Sequence, residues 1–202
     1  MAISTGAELA TAVANFLARA DLTSRIPEFV ALAEAKLNRK LRTPEMETKV
    51  TFPITGEYVP LPTGFLEVRS FYLDSDPFTA LSYLPPDTQT GYLIAGSSIP
   101  AYFSIVGTNF RFAPVPSATY NATLIYYAAP PSVKTGGSAT NWLLTAHPDL
   151  YLWASCYWGA VYLQDEVKAS ASKGLYDEAL AEVMTLGRRT RWGGPSMAMR
   201  PG

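Results

Sequence analysis

The sequence predicts an α+β protein: an antiparallel bundle of about four helices with an inserted antiparallel β-sheet of about six strands, plus a flexible C-terminal tail. Three observations carry this. Apolar residues recur at helical spacing near both ends, short runs broken by turn residues fill the middle, and no apolar period survives beyond Gly187. The expected division is a helical bundle at 1–47 and 141–187, an inserted β domain at 48–130, a linker at 131–140 and a flexible tail at 188–202.

Thr5, with Glu8 three residues later, forms a capping box before Leu9, Ala12, Val13, Phe16 and Leu17, so a short first helix is expected to end near Ala20. After the Asp21-Leu22-Thr23-Ser24 break, Ile26, Phe29, Val30, Ala33, Leu37 and Leu41 fall on one face of a second helix running to about Arg42. Pro27 is tolerated because it lies in the first turn. Lys36, Arg39, Lys40 and Arg42 crowd the second half of this helix, where positive charge suits the dipole; the same cluster can face solvent, phosphates or an acidic partner.

From Thr48 the pattern reads as a meander. Lys49 to Ile54 is a strand, Thr55-Gly56 turns it, and Tyr58 to Leu61 returns. Pro53, Pro60 and Pro62 assign this pair to a sheet edge or an arm, because proline cannot donate to a ladder. Phe65 to Leu73 is the strongest strand, and Asp74-Ser75-Asp76-Pro77 turns the chain into Phe78 to Leu81. Pro85 and Pro86 open a short helical turn through Thr90. Pro100 to Val106, the Gly107-Thr108-Asn109 turn and Phe110 to Ala113 make a hairpin, and Asn121 to Ala128 completes the sheet. Pro130 to Thr140, with Gly136-Gly137, is a flexible return.

The stretch Asn141 to Gln164 organises the rest. Thr145 or His147 can cap its helix, Pro148 fits the first turn, and Asp149 favours the positive end of the dipole. No charged side chain follows until Asp165, and Tyr151, Leu152, Trp153, Tyr157, Trp158, Val161, Tyr162 and Leu163 point in every direction. Such a helix wants partners all round, from its own chain or from a neighbouring subunit. It is too short and too rich in Tyr and Trp to cross a bilayer. A last helix carries Leu175, Tyr176, Ala179, Val183 and Leu186, with Gly187 as its cap.

Composition excludes several classes. The 202 residues hold 16 Lys+Arg against 17 Asp+Glu, a net charge of -1, so the whole chain exerts no long-range pull on DNA or anionic lipid. The one cysteine, Cys156, cannot form an internal disulfide and reads as a small buried hydrophobe. The Met1 end lacks a signal segment, so the chain is expected to stay in the cytoplasm where it is made.

The single histidine, His147, has no second member for a metal site or a nucleophile triad, and capping is its expected role. Asp74, Asp76, Asp177 and Glu178 are not spaced to place two carboxylates across a substrate, and Gly91 and Gly96 lack the lysine of a phosphate loop. No enzyme, no cofactor and no metal site is expected. What remains is surface that wants covering: a proline-stiffened arm at 54–62, the aromatic helix, and a tail in which Trp192 lies among Arg188, Arg189 and Arg191.

Taken together, several segments resemble the head-to-tail adaptor, or head-completion, proteins of tailed bacteriophages, the wider group of podophage tail tubular protein A and the tail accessory factor. They are the run from Ile26 to Arg39 with Leu41-Arg42 and Glu45-Met46-Glu47; Leu61 to Ser70; Phe112-Ala113-Pro114-Val115-Pro116; Tyr126 to Pro131; and Asn141-Trp142-Leu143-Leu144 followed by Pro148 to Leu152. They span most of the chain in the expected order.

The resemblance implies a non-catalytic, cofactor-free subunit of the virion neck, made in the host cytoplasm, with no membrane partner. It implies a twelve-copy ring between the portal protein and a downstream neck or tail protein, through which double-stranded DNA passes without sequence recognition. On that reading Arg188, Arg189, Arg191 and Trp192 contact the portal, and Lys36, Arg39, Lys40 and Arg42 face either the channel DNA or the next subunit. The alternative is a small ligand-binding module using Tyr58, Tyr72, Tyr102, Tyr126 and Tyr127 on the sheet. A hydrolase would have to depend on His147 or Asp149.

Overall fold

The computed structural model describes residues 3–93 and 97–192, Trp192 by its backbone alone. The chain divides into two compact units, Met1–Glu45 with Pro130–Gly202, and Met46–Ala129. The first is helical and the second is β, so the β unit is an excursion between two helical segments.

In the helical unit, α1 spans Gly6–Leu17 and α2 spans Ile26–Lys40, joined by a 3-10 turn at Ala20–Leu22. The expected capping box is formed: the Glu8 amide donates to Thr5 Oγ1, and the Thr5 amide donates to the Glu8 carboxylate. α1 ends earlier than expected because Ala18 takes a left-handed conformation (φ 54°) and its N–H closes the last turn.

Three features of the second helical segment differ from the sequence reading. A short helix, α4 (Trp142–Ala146), precedes α5 (Pro148–Tyr162), and it is Asn141, not Thr145 or His147, whose side chain caps. His147 makes no capping bond through its ring; its N–H donates to Leu143 and closes α4. The last helix, α6 (Glu166–Trp192), starts well before Leu175 and runs through Gly187. Gly187 is there for close approach instead: a Cβ at this position would lie 3.1 Å from Thr43 Cγ2.

α5 packs against α1, α2, α4 and α6, as an apolar helix must. Its most buried positions include the small residues Ala154, Ser155, Cys156, Gly159 and Ala160, whereas Trp153, Tyr157 and Trp158 are half-buried. Small residues let helix axes approach, and the large rings spread into the flanks; Trp153 meets Phe16 edge-on at 5.0 Å. The return at 131–140 is tied down. Val133 is buried, its N–H donates to Glu34 Oε1, and Gly6 donates to the Ala139 carbonyl. Gly136 and Gly137, at φ 69° and 59°, make the tight turn this requires.

The β unit holds two four-stranded sheets, where one sheet of about six strands is expected. With β1 at Glu47–Ile54, β2 at Tyr58–Pro60, β3 at Phe65–Leu73 and β4 at Thr79–Ala80, the first sheet runs β1-β8-β3-β4, β8 being Tyr120–Ala128. The second runs β2-β7-β6-β5, with β5 at Ser82–Tyr83, β6 at Tyr102–Val106 and β7 at Asn109–Ala113. All pairings are antiparallel except β5 with β6. A short helix α3 (Pro86–Thr90) opens at Pro86 as expected.

The β6–β7 hairpin forms around Gly107 (φ 62°), but β1 and β2 do not pair with each other. They part after Thr55-Gly56, and each becomes the edge of a different sheet, which is where Pro53 and Pro60 can be tolerated. Between the sheets lies an aromatic core. Phe71 of the first sheet lies 5.1 Å from both Phe103 and Phe110 of the second, and 5.7 Å from Phe112. Gln89 is fully buried beside this core, its Nε2 donating to the Arg111 carbonyl and its Oε1 accepting from the Ser104 hydroxyl.

Candidate functional site

The chemistry-bearing residues do not converge. His147 and Asp149 line an open groove whose one hydroxyl among the lining residues, that of Thr185, donates to the Ala181 carbonyl of its own helix. Burial pushes the Cys156 thiol up to about 12, which keeps it an unreactive thiol. Among the described residues no group of three His, Cys, Asp or Glu side chains could hold a metal ion, and no helix is long and apolar enough to cross a membrane.

The tyrosines of the ligand-binding alternative are scattered by their local contacts. Tyr126 and Tyr127 are buried, Tyr126 stacking on Phe65 at 5.7 Å and the Tyr127 hydroxyl donating to Glu47. Tyr58 is exposed with the Arg111 guanidinium 5.8 Å from its ring centre, Tyr72 meets Phe78, and Tyr102 meets Tyr92. The four cavities described all lie in the helical unit, and none is lined by these rings.

The basic cluster of α2 is gathered on one flank of the helical unit but its members do different work. Lys36 is half-buried, with Nζ 4.4 Å from the Tyr176 ring centre and 4.8 Å from that of Tyr157. Burial, followed by the charge of Lys40, lowers its pKa from the ordinary lysine value. Arg42 turns back on its own helix and donates to the carbonyls of Asn38 and Leu41. This satisfies carbonyls at the helix end. Arg39 and Lys40 are exposed. Lys173 of α6 joins the same field and pairs with Asp177 at 2.9 Å.

The C-terminal arginines lie on the last turn and a half of α6. Arg188 and Arg189 are exposed, Arg188 Nε reaching back to the Met184 carbonyl, and Arg191 is half-buried. The Trp192 side chain and residues 193–202 lie outside the described residues.

One surface was not legible as a site. A groove of about 550 Å³ runs between the start of α5 and the second half of α6, lined by Asp149, Glu178, Glu182, Leu186 and Arg189 among others. The signal in the sequence was the Glu178/Glu182 pair: like charges four apart weaken an isolated helix unless something opposite meets them.

A helical unit with half-buried aromatics and exposed charged side chains, and a β unit with an aromatic core, bring no reactive groups together among the described residues, which fits a structural protein. No curated protein matches the chain. A profile of the SU10 adaptor protein family matches residues 4–200, and the chain belongs to that family of bacteriophage head-to-tail adaptors. It is a structural, non-catalytic virion protein, as the resemblance implied. Membership also implies contacts with portal and tail components and a place at the neck of the virion.

Proposed function

We propose that this chain forms an oligomeric ring, twelve copies by the resemblance, docked between the portal and the next neck or tail protein and continuing the DNA channel used in genome ejection. The chain is made in the host cytoplasm and assembles on the finished portal. Arg188, Arg189, Arg191 and Trp192 contact the portal, while Lys36, Arg39, Lys40 and Arg42 face the channel DNA or the next subunit. The β domain at 48–130 serves as a separate module inserted into the helical body of 1–47 and 141–187, with 131–140 as its return and 188–202 as the docking end.

The observation that supports the portal assignment best is the length of α6. Its 27 residues extend about 40 Å at 1.5 Å per residue, against about 22 Å for the 15 residues of α5. The surplus carries the exposed Arg188 and Arg189, residues of a type that anchors partners well. Removing residues 188–202 is expected to leave the helical and β signatures of the fold intact and to abolish binding to the portal ring. Undiminished docking by the shortened chain would refute the assignment.

A further inference from the structure

Two stripes of opposite sign, exposed except at the half-buried Lys36, lie on different flanks of the helical unit. On α2, Leu32, Lys36 and Arg39 follow one another at i, i+4 and i+7, with Lys40 beside them. On α6, Leu175, Glu178, Glu182 and Leu186 do the same at i, i+3, i+7 and i+11, and the last three border the groove of about 550 Å³. The flanks are distinct: Lys173, which belongs to the basic field, and Glu178 are separated by roughly 140° around the α6 axis at about 100° per residue.

Each stripe carries a locally unfavourable feature, a like-charge pair four residues apart: Lys36 with Lys40, and Glu178 with Glu182. Among the described residues Arg39, Lys40, Glu178 and Glu182 make no ion pair, although Arg19, Arg25, Lys168 and Lys173 elsewhere in the unit all do. Each stripe also exposes a leucine that a covered surface would bury, Leu32 at 46% and Leu186 at 51%.

We propose that the acidic stripe of one copy receives the basic stripe of the next, so that copies of this chain join head to tail. The proposal rests on the ring reading above and names its subunit contact. Two different patches that complement each other make a heterologous interface, and heterologous interfaces are those that close into rings. Duplex DNA would use only the basic stripe and leave the acidic groove without a role. It would also find few free cations, since Arg42 is bound to its own helix end and Lys36 lies over two rings. A second copy uses both stripes and brings a leucine to each.

The test uses the full chain, the portal ring of the same phage, and mass measurement of the complex. Arg39→Glu with Lys40→Glu reverses one stripe; Glu178→Lys with Glu182→Lys reverses the other. Each variant alone is expected to need at least about a hundredfold higher concentration to assemble, because reversed charges then face like charges. Mixing the two variants restores assembly with alternating copies, and a chain carrying all four changes assembles with itself. Circular dichroism melting confirms that each variant is folded.

If the wild-type chain fails to assemble on the portal, the ring reading falls. If it assembles and the reversed variants do so equally well, the pairing of stripes is wrong while the ring stands. Assembly lost in both variants and rescued by neither the mixture nor the fourfold change also overturns the pairing. So does a basic-stripe variant that loses only retention on duplex DNA.

Discussion

Replacing Asn141 with alanine tests whether one side chain fastens the return segment to the helical unit. Asn141 is 7% exposed; its Oδ1 accepts from the Leu144 N–H at 2.8 Å, capping α4. Its Nδ2 donates to the Pro131 carbonyl at 2.7 Å and to the Tyr151 hydroxyl at 2.9 Å. Alanine removes the cap, at about 1 kcal/mol, and leaves two inward-facing acceptors without their donor, at about 1 kcal/mol each or more. The total is about 3–4 kcal/mol, which for a chain of this size lowers Tm by about 6–16 °C.

Asn141→Ser keeps a capping oxygen but is too short to reach Pro131 and Tyr151, so it recovers about 1 kcal/mol of the loss. Urea and thermal unfolding of both variants, with Tyr151→Phe in a double-mutant cycle, measure the parts. A loss under 1 kcal/mol for alanine, or no coupling between positions 141 and 151, would refute the account of this hub.

Phe71→Ala empties the centre of the aromatic cluster between the sheets and is expected to cost about 3–5 kcal/mol by denaturant unfolding. Gly159→Ala would place a Cβ 2.5 Å from Leu17 Cδ1; overpacking there is expected to cost about 1–3 kcal/mol, and Leu17→Ala in the same chain should relieve the clash, visible as non-additive melting. Hydrogen bonds from Ser4 hold the Glu8 carboxyl below its ordinary value of 4.5. A depressed folded-state pKa means that its support of α1 is full above about pH 5 and disappears as pH falls through that lowered value. Glu8→Gln should therefore weaken α1 at neutral pH and match the wild type in strong acid, as followed by amide exchange in α1.

Elements set by local chemistry were legible. The Thr5/Glu8 box, the α2 face from Ile26 to Leu37, and the Gly107 hairpin each depend on residues close in sequence, and each forms where expected. The pairing of β1 was not, because its partner β8 lies some seventy residues away, as in Thr51 opposite Thr123. Adjacency in sequence made β2 look like its partner, whereas the Phe-rich inner faces favour splitting the two strands between sheets. Gly187 shows the same ambiguity on a smaller scale: a glycine ends a helix or admits a neighbour, and only the position of Thr43 decides.

The site divides likewise. The basic cluster was visible by count, but the sequence could not show that Arg42 caps its own helix while Lys36 covers Tyr157 and Tyr176. The acidic stripe went unread because Glu178 and Glu182 look like any solvated helix face until the exposed Arg39 and Lys40 of α2 are seen on the other flank.

The claim that this chain joins larger bodies is tested most directly by its mass in solution, alone and in the presence of the portal ring. The account predicts a single or weakly associated chain on its own and a closed ring of copies once the portal is supplied. An unchanged mass, with no chain bound to the portal at any concentration tried, would contradict it.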